Sequence, residues 1–328
     1  MLAAARSLQY IHQITLPTPF PIGPVHTYLV DGDPLTLIDT GPHTLEAQQA
    51  LEKGLAEHGV AFRDIQRIIV THAHADHYGQ VGILAAASGA AVWAHALARP
   101  VIEHWAAYAA VREPFWLDLL LGAGVPVDAA EQTARLYRDM DHFTTAAPVV
   151  QPLAEGDRLE LAGATWEVLA CPGHSDDLIC LFQPQQRLLF GNDHLLSHVS
   201  SNAIVGPPPL GVSQRGQPLV SYWQSLRRVD ALPIDLVLTG HGPAVTNVHG
   251  LIDERAAMYE RRLARLLMQL QDGPATPWQL ASALFRQLNA ADTFLAISEV
   301  LGHLDVLENG QQLRRARDAE GVCWYEHC

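Results

Sequence analysis

The chain has 328 residues, 48% of them hydrophobic and 17% charged, with a formal net charge of −14. That length suits about two domains, and no apolar run approaches the ~18 to 20 residues of a membrane span. The acidic balance repels a phosphate backbone over most of the surface and argues against broad nucleic-acid binding.

The opening stretch, MLAAARSLQYIHQ, has no apolar core of signal-peptide length, which predicts a cytoplasmic protein. Cys171, Cys180, Cys323 and Cys328 form no CxxC pair and no evenly spaced framework, so no disulfide scaffold is expected. Residues 10–16 and 26–30 read as strands, Gly32-Asp33-Pro34 as a turn, and residues 35–38 as a returning strand that ends at Asp39-Thr40-Gly41. Thr44 is a good N-cap for a helix that sets Leu45, Leu51 and Leu55 on one side and stops at Gly59. Residues 66–70 form a short apolar strand, 78–88 a helix of small residues, and 91–95 a further strand. From 97 to 148 the periodicity turns helical, with Trp105, Tyr108, Phe115 and Trp116. This predicts an inserted helical hairpin, either a core-packing insert or a lid over an apolar substrate pocket.

Strands return at residues 158–161, 165–169, 178–182 and 187–190. A long loop with Pro207-Pro208-Pro209 and Gly211 follows, then a helix over 218–229 and a strand over 234–238. After Gly250 the composition shifts: residues 251–270 read as a helix with Tyr259, Leu263, Leu266, Leu267 and Leu270 on one side. Thr276, Pro277 and Gln279 combine an N-cap, a proline at the first helical position and a capping-box partner, opening a helix to about residue 288. Residues 293–307 form a third helix closed by Asn309-Gly310, and 312–315 with 322–325 a hairpin. The expected division is a catalytic domain over 1–250 and a small domain over 251–328.

The chemistry concentrates after the strand at 66–70, where the chain reads THAHADHYG. In an extended loop, His72 and His74 at alternate positions present imidazoles to the same ion, while the adjacent Asp76 and His77 turn towards a second. Two ions need about six or more protein ligands. Other predicted strands lead to them: Gly173-His174-Ser175 after the strand ending at Leu169, Asn192-Asp193 after Phe190, and Gly240-His241-Gly242 after Leu238. Tyr78 beside the loop, and Ser175 with Asp176 after His174, are candidates to support the ligands. His43, His194 and His198 lie close enough in sequence to reach the rim, although an ordinary packing or surface role is the expectation for each. Cys171 reads as structural.

The series THAHADH, CPGHSDD, FGNDH and LTGHG resembles the ordered motifs of the metallo-β-lactamase superfamily, over roughly residues 10–250. The resemblance implies an α/β fold, an αββα sandwich carrying the helical insert, with a dinuclear site at the sheet edge. It implies that His72, His74 and His174 bind the first ion, that Asp76, His77 and His241 bind the second, and that Asp193 bridges them. Asp39, ending LTLIDTG, then supports the metal loop. Two close cations lower the proton affinity of a shared water to give a bridging hydroxide near neutral pH, with Asp76 and Asp193 as catalytic carboxylates. Imidazole and carboxylate ligands without thiolates suit zinc, with iron or manganese as alternatives.

The tail segments TPWQLASALF, ISEVLGHLDVLENGQ and GVCWY resemble the winged-helix-like C-terminal domain of a branch that includes the β-lactamase-like protein 2 endoribonucleases, in a glyoxalase II-like group. Two functions compete: hydrolysis of a small-molecule ester, thioester or lactone, and cleavage of a phosphodiester or single-stranded RNA. A third reading is metal binding without catalysis. The tail from residue 251 has eight arginines against eleven acidic residues, which favours a small-molecule substrate and a tail used for packing or homodimerisation.

Overall fold

A computed structural model describes residues 8–208, 214–285 and 288–328. The first predicted strands form β1 (Ile11–Leu16), β2 (Val25–Val30) and β3 (Thr36–Ile38), followed by β4 (Arg67–Val70), β5 (Ala91–His95) and β6 (Val149–Leu153). These six make one sheet in chain order, antiparallel through β3 and parallel from β3 onward. β6 was not expected from the sequence. It contains Pro152 and occupies the sheet edge, where a missing N–H costs no ladder bond. The second sheet runs β11 (Leu236–Thr239), β10 (Leu188–Asn192), β9 (Ile179–Gln183), β8 (Ala164–Ala170), β7 (Arg158–Leu161), with only β10 and β11 parallel.

The apolar faces explain the layering. Ile11, Tyr28, Ile38 and Ile69 of the first sheet pack against Trp166, Val168, Leu181 and Phe190 of the second in one cluster, so the sheets face each other. The outer face of the first sheet is covered by α1 (Leu45–Ala56) and α3 (Val81–Ser88), through Leu51, Leu55, Val81 and Leu84. The outer face of the second is covered by α7 (Pro218–Asp230) and α8 (Val248–Gln269), through Leu219, Tyr222, Leu226, Leu251 and Ile252. The result is the α/β sandwich, helix layer, sheet, sheet, helix layer, that the sequence implied.

Two local expectations are corrected. Leu45 is 65% exposed, because it sits at the very start of α1; Ala47, Leu51 and Leu55, spaced by four, form the buried stripe instead. The helix expected over 78–88 is two pieces, α2 (Ala75–Tyr78) and α3. The Thr145 hydroxyl marks the break, donating to the Gly79 carbonyl and accepting from Gly82 N–H. Asp76 and His77 therefore lie on a helical turn rather than an extended loop.

The insert folds as α4 (Arg99–Glu103), α5 (Trp105–Gly122) and α6 (Val127–Asp139). Past the sandwich come the rest of α8, then α9 (Pro277–Leu284), α10 (Ala290–Asn309) and the antiparallel pair β12 (Leu313–Arg317) and β13 (Cys323–His327). The Thr276/Gln279 capping box is present as expected. α8 is continuous through residue 250: Val248, Leu251 and Ile252 pack beneath the second sheet, whereas Leu266 packs with the C-terminal elements. Trp116, Leu120, Ala123 and Val125 of the insert share one core with Phe294, Ile297, Leu301 and Tyr325, so the insert docks on the C-terminal elements. The helix expected to reach residue 288 ends at Leu284. Residues 286–287, the segment containing Pro209 and Gly211, and the first seven residues of the chain lie outside the described residues.

Candidate metal centre

Five imidazoles and two carboxylates from four strand ends converge at one edge of the sandwich. His72 and His74 follow β4, with Asp76 and His77 on α2; His174 follows β8, Asp193 follows β10 and His241 follows β11. His72 Nε2 lies 3.0 Å from His74 Nδ1, and His174 Nε2 lies 2.9 Å from that same His74 atom. On the other side, His241 Nε2 is 3.3 Å from Asp76 Oδ2, and Asp76 Oδ2 is 4.0 Å from His77 Nε2. Asp193 reaches both groups: Oδ1 is 3.4 Å from His77 Nε2, and Oδ2 is 3.6 Å from both His174 Nε2 and His241 Nε2.

The far nitrogens explain why the near ones face inward. His174 Nδ1 donates to the Asn202 carbonyl at 3.0 Å and His241 Nδ1 to the Pro24 carbonyl at 2.8 Å, and a carbonyl can only accept. His77 Nδ1 donates to Asp39 Oδ2 at 2.8 Å. His72 Nδ1 lies 3.2 Å from Thr71 Oγ1, whose own proton goes to Asp39 Oδ2, so the hydroxyl accepts. In its neutral form each of these four rings is thereby held in the tautomer with its Nε2 lone pair turned inward.

That arrangement has the chemistry of a cation site. His77 Nε2, His241 Nε2 and Asp193 Oδ1 are buried and make no hydrogen bond among the described residues. Three subsets have ligand atoms close enough for one ion: His72, His74 and His174; His72, His77 and Asp193; Asp76, His77 and His241. Burial pushes the His74 imidazole down to about 3, with His174 adding to the effect, and burial likewise holds His72 well below the ordinary range. Burial opposes charge on His77 too, yet Asp193, Asp76 and Asp39 outweigh it and raise that ring well above its usual value. The carboxylates that favour a proton there would favour a metal cation for the same reason.

Asp39 lies against the loop after β4. Its side chain accepts from Thr71 N–H at 2.8 Å, from the Thr71 hydroxyl at 2.7 Å and from His77. Ser175 reaches the site through Asp177, whose Oδ1 it hydrogen-bonds, while Asp177 Oδ2 accepts from Ala73 N–H at 2.7 Å and pins the middle of the metal loop. Asp177 escaped notice in the sequence, although the acidic pair after His174 was its signal. Tyr78 packs in the apolar cluster outside the first sheet. His194 is buried edge-on to Tyr222 at 5.3 Å, and His198 packs over Gly242; neither belongs to a ligand subset. Cys171 lies in the apolar cluster under the second sheet, as a structural residue would.

Gly240 fits this crowding. A Cβ there would fall on Asp193 Oδ1 and against the His77 ring. Gly240→Ala is expected to leave a folded protein with bound metal reduced at least about tenfold, read by elemental analysis beside a melting curve; unchanged metal content would refute it.

The sequence profile of the metallo-β-lactamase superfamily matches residues 21–241, more than half of the chain. The chain belongs to the metallo-β-lactamase superfamily. A second profile, that of the metallo-β-lactamase-like C-terminal domain, matches residues 263–328. Over 296 residues, 90% of this chain and 91% of the relative, it is 38% identical to a Bacillus subtilis protein named "Probable metallo-hydrolase YqjP". An atrochrysone carboxyl ACP thioesterase of Aspergillus fumigatus is 27% identical over 163 residues, 45% of this chain and 48% of that one. The crystal structure of a metallo-β-lactamase family protein from Thermus thermophilus superposes with a TM-score of 0.81 at 28% identity, covering 98% of this chain and 99% of the other. The chain is thus a superfamily metallo-hydrolase, and its His and Asp groups have the composition to hold metal.

Proposed function

We propose that the chain is a dinuclear metal-dependent hydrolase of small-molecule esters, thioesters or lactones. His72, His74 and His174 would hold one ion and Asp76, His77 and His241 the other, with Asp193 in reach of both groups. The observation that carries the two-ion reading is the charge of the centre. Asp39, Asp76 and Asp193 bring three negative charges among imidazoles that, as ligands, are neutral. One dication leaves this buried site net negative, whereas two leave it net positive, the sign that attracts an anionic nucleophile and a polarised carbonyl oxygen.

When bound, a pair of divalent cations, zinc by preference, supplies a water of lowered proton affinity and a Lewis acid for the oxygen under attack. The protein's own part is positional. Burial pushes the Asp76 carboxyl up, but His77 and His241 overcome it and hold it down at about 2. Burial likewise opposes ionisation of Asp193, and His77 and His241 draw it well below its usual range. Both are therefore carboxylates at neutral pH, able to accept hydrogen bonds from the nucleophilic water and orient it. Tyr108 of the insert packs beside Trp105 against the apolar layer outside the first sheet, the layer that Ala73 of the loop after β4 also meets. Its phenol is pushed up by burial, opposed by Arg112 and reinforced by Asp177 and Asp176. An aromatic pair packed against the same apolar layer as the loop that carries His72 and His74 favours an apolar acyl substrate, and the thioesterase relative supports that class.

A phosphodiester or single-stranded RNA substrate is the second reading, suggested by the resemblance of the tail segments to the β-lactamase-like protein 2 branch. At least four of the eight arginines after residue 250 are engaged: Arg255 donates to the carbonyls of Leu196, Ser197 and Val199, Arg262 pairs with Glu299, Arg314 with Glu326 and Arg315 with Glu308. That leaves a weak footprint for a polyanion.

The test joins metal analysis to a panel of lactones, thioesters, aryl esters, bis-p-nitrophenyl phosphate and single-stranded RNA. Carbonyl substrates should be turned over, chelation should lower the rate by at least about 100-fold, and zinc should restore it. Good cleavage of RNA or the phosphodiester, with the carbonyl compounds untouched, would reverse the assignment.

A further inference from the structure

The segment from Ser201 to Val205, between β10 and α7, touches both the metal centre and the C-terminal elements. On the side of the centre, the Asn202 carbonyl accepts from His174 Nδ1 at 3.0 Å, the Ile204 N–H returns a bond to the His174 carbonyl at 3.4 Å, and the Ser201 hydroxyl donates to the Asp193 carbonyl. On the other side, Asn202 Nδ2 donates to the Leu295 carbonyl of α10 at 3.1 Å, and Val205 N–H donates to Ser298 Oγ of the same helix at 3.3 Å. Packing follows the same division. Ala203 lies in the cluster beneath the second sheet, whereas Val205 lies in the cluster shared by the insert, α9 and α10.

We propose that Asn202 is a positioning residue through which α10 sets the orientation of His174, so that the C-terminal elements complete the metal centre. This rests on the reading of His174 as a ligand of the first ion. A backbone carbonyl orients an imidazole only as well as its own peptide is held, and a single residue here does both tasks. The Asn202 main chain receives the His174 proton, and its side chain ties that peptide to a carbonyl of α10. His174 Nε2 then faces His74 Nδ1 at 2.9 Å and Asp193 Oδ2 at 3.6 Å. His72, by contrast, is oriented by Thr71 beside it in the loop, His77 by Asp39, and His241 by Pro24, all outside the C-terminal elements. Loosening this tether should therefore weaken one ion selectively. A catalytic domain that depends on its C-terminal neighbour in this way has a reason to carry it that involves no nucleic acid.

The experiment is a competition titration of metal-free full-length protein with zinc against a chromophoric chelator, repeated with cobalt to read the ligand field. It is run on wild type, His174→Ala, Asn202→Ala and Asn202→Asp, with melting curves of the metal-free proteins. Asn202→Asp keeps the shape of the side chain and removes the donor to Leu295, which retains a test if the alanine variant folds poorly. Wild type should bind two equivalents and His174→Ala should lose the first. Both Asn202 variants should bind that same equivalent about 10- to 100-fold more weakly, with an altered cobalt spectrum and the other equivalent unchanged. Wild-type affinity for both ions in a folded Asn202 variant would overturn the proposal while leaving the dinuclear reading intact. Equal weakening of both ions together with a lowered melting temperature would reduce Asn202 to a structural residue and also overturn it. Retention of both equivalents by His174→Ala would sink the ligand reading itself, and the proposal with it.

Discussion

Asp193→Ala should lower kcat/KM on any substrate the protein turns over by at least about 10³-fold, about 4 kcal/mol of transition-state stabilisation, and should reduce bound metal from two equivalents to about one. The expectation follows from where the carboxylate stands. It is the side chain within 3.6 Å of ring nitrogens from both sides of the centre, His174 on one and His77 and His241 on the other. Burial would push its proton affinity up, but His77 and His241 pull it well down, so the negative charge is built into the site. Removing it leaves inward-facing imidazoles without the carboxylate that joins them. Asp193→Asn separates shape from charge: it fills the same space, should bind the second ion weakly, and should be almost as impaired as the alanine variant. Elemental analysis and steady-state kinetics on the same preparations decide the matter. Full activity in Asp193→Ala, with two ions retained, would end the bridging role.

The inward-facing residues were legible in the sequence because they sit at strand ends, where a short apolar run stops and His or Asp takes over. His72, His74, Asp76 and His77 follow β4, and His174, Asp193 and His241 follow strands of the other sheet. Facing sheets with ligands at one edge then bring distant motifs together. What holds those residues in place was less legible. The acceptors for His174 and His241 are the main-chain carbonyls of Asn202 and Pro24, and a carbonyl leaves no mark on residue type. α2 is only four residues long, too short for periodicity to show, so nothing in the sequence signals that Asp76 and His77 sit on a helical turn. β6 was hidden by Pro152, which is tolerated only because that strand is an edge. The docking of the insert on α10 was beyond reach for a different reason: Trp116 and Phe294, with ring centroids 4.6 Å apart, each read as an ordinary apolar position until the fold brings them together.

Asp39→Asn should destabilise the metal-free protein by about 2 to 4 kcal/mol and weaken metal binding about 10- to 100-fold. The carboxylate is fully buried and accepts from three donors: Thr71 N–H into Oδ1, and the Thr71 hydroxyl with His77 Nδ1–H into Oδ2. An amide of the same shape offers one acceptor oxygen and an NH2 group, so at least one buried donor must face another donor. If the NH2 group faces Thr71 N–H, the metal loop loses its anchor to the end of β3. If it faces Oδ2's partners, His77 loses the acceptor that keeps its Nε2 lone pair inward, and the Thr71 hydroxyl is freed to stop supporting His72. Backbone strain does not confuse the comparison, because Asp39 adopts φ 59° and asparagine tolerates the left-handed region as well as aspartate does. Denaturant unfolding of the metal-free protein isolates the first effect, and chelator competition measures the second. A variant as stable as wild type that binds zinc equally well would show that the three hydrogen bonds to Asp39 do not hold the centre in place.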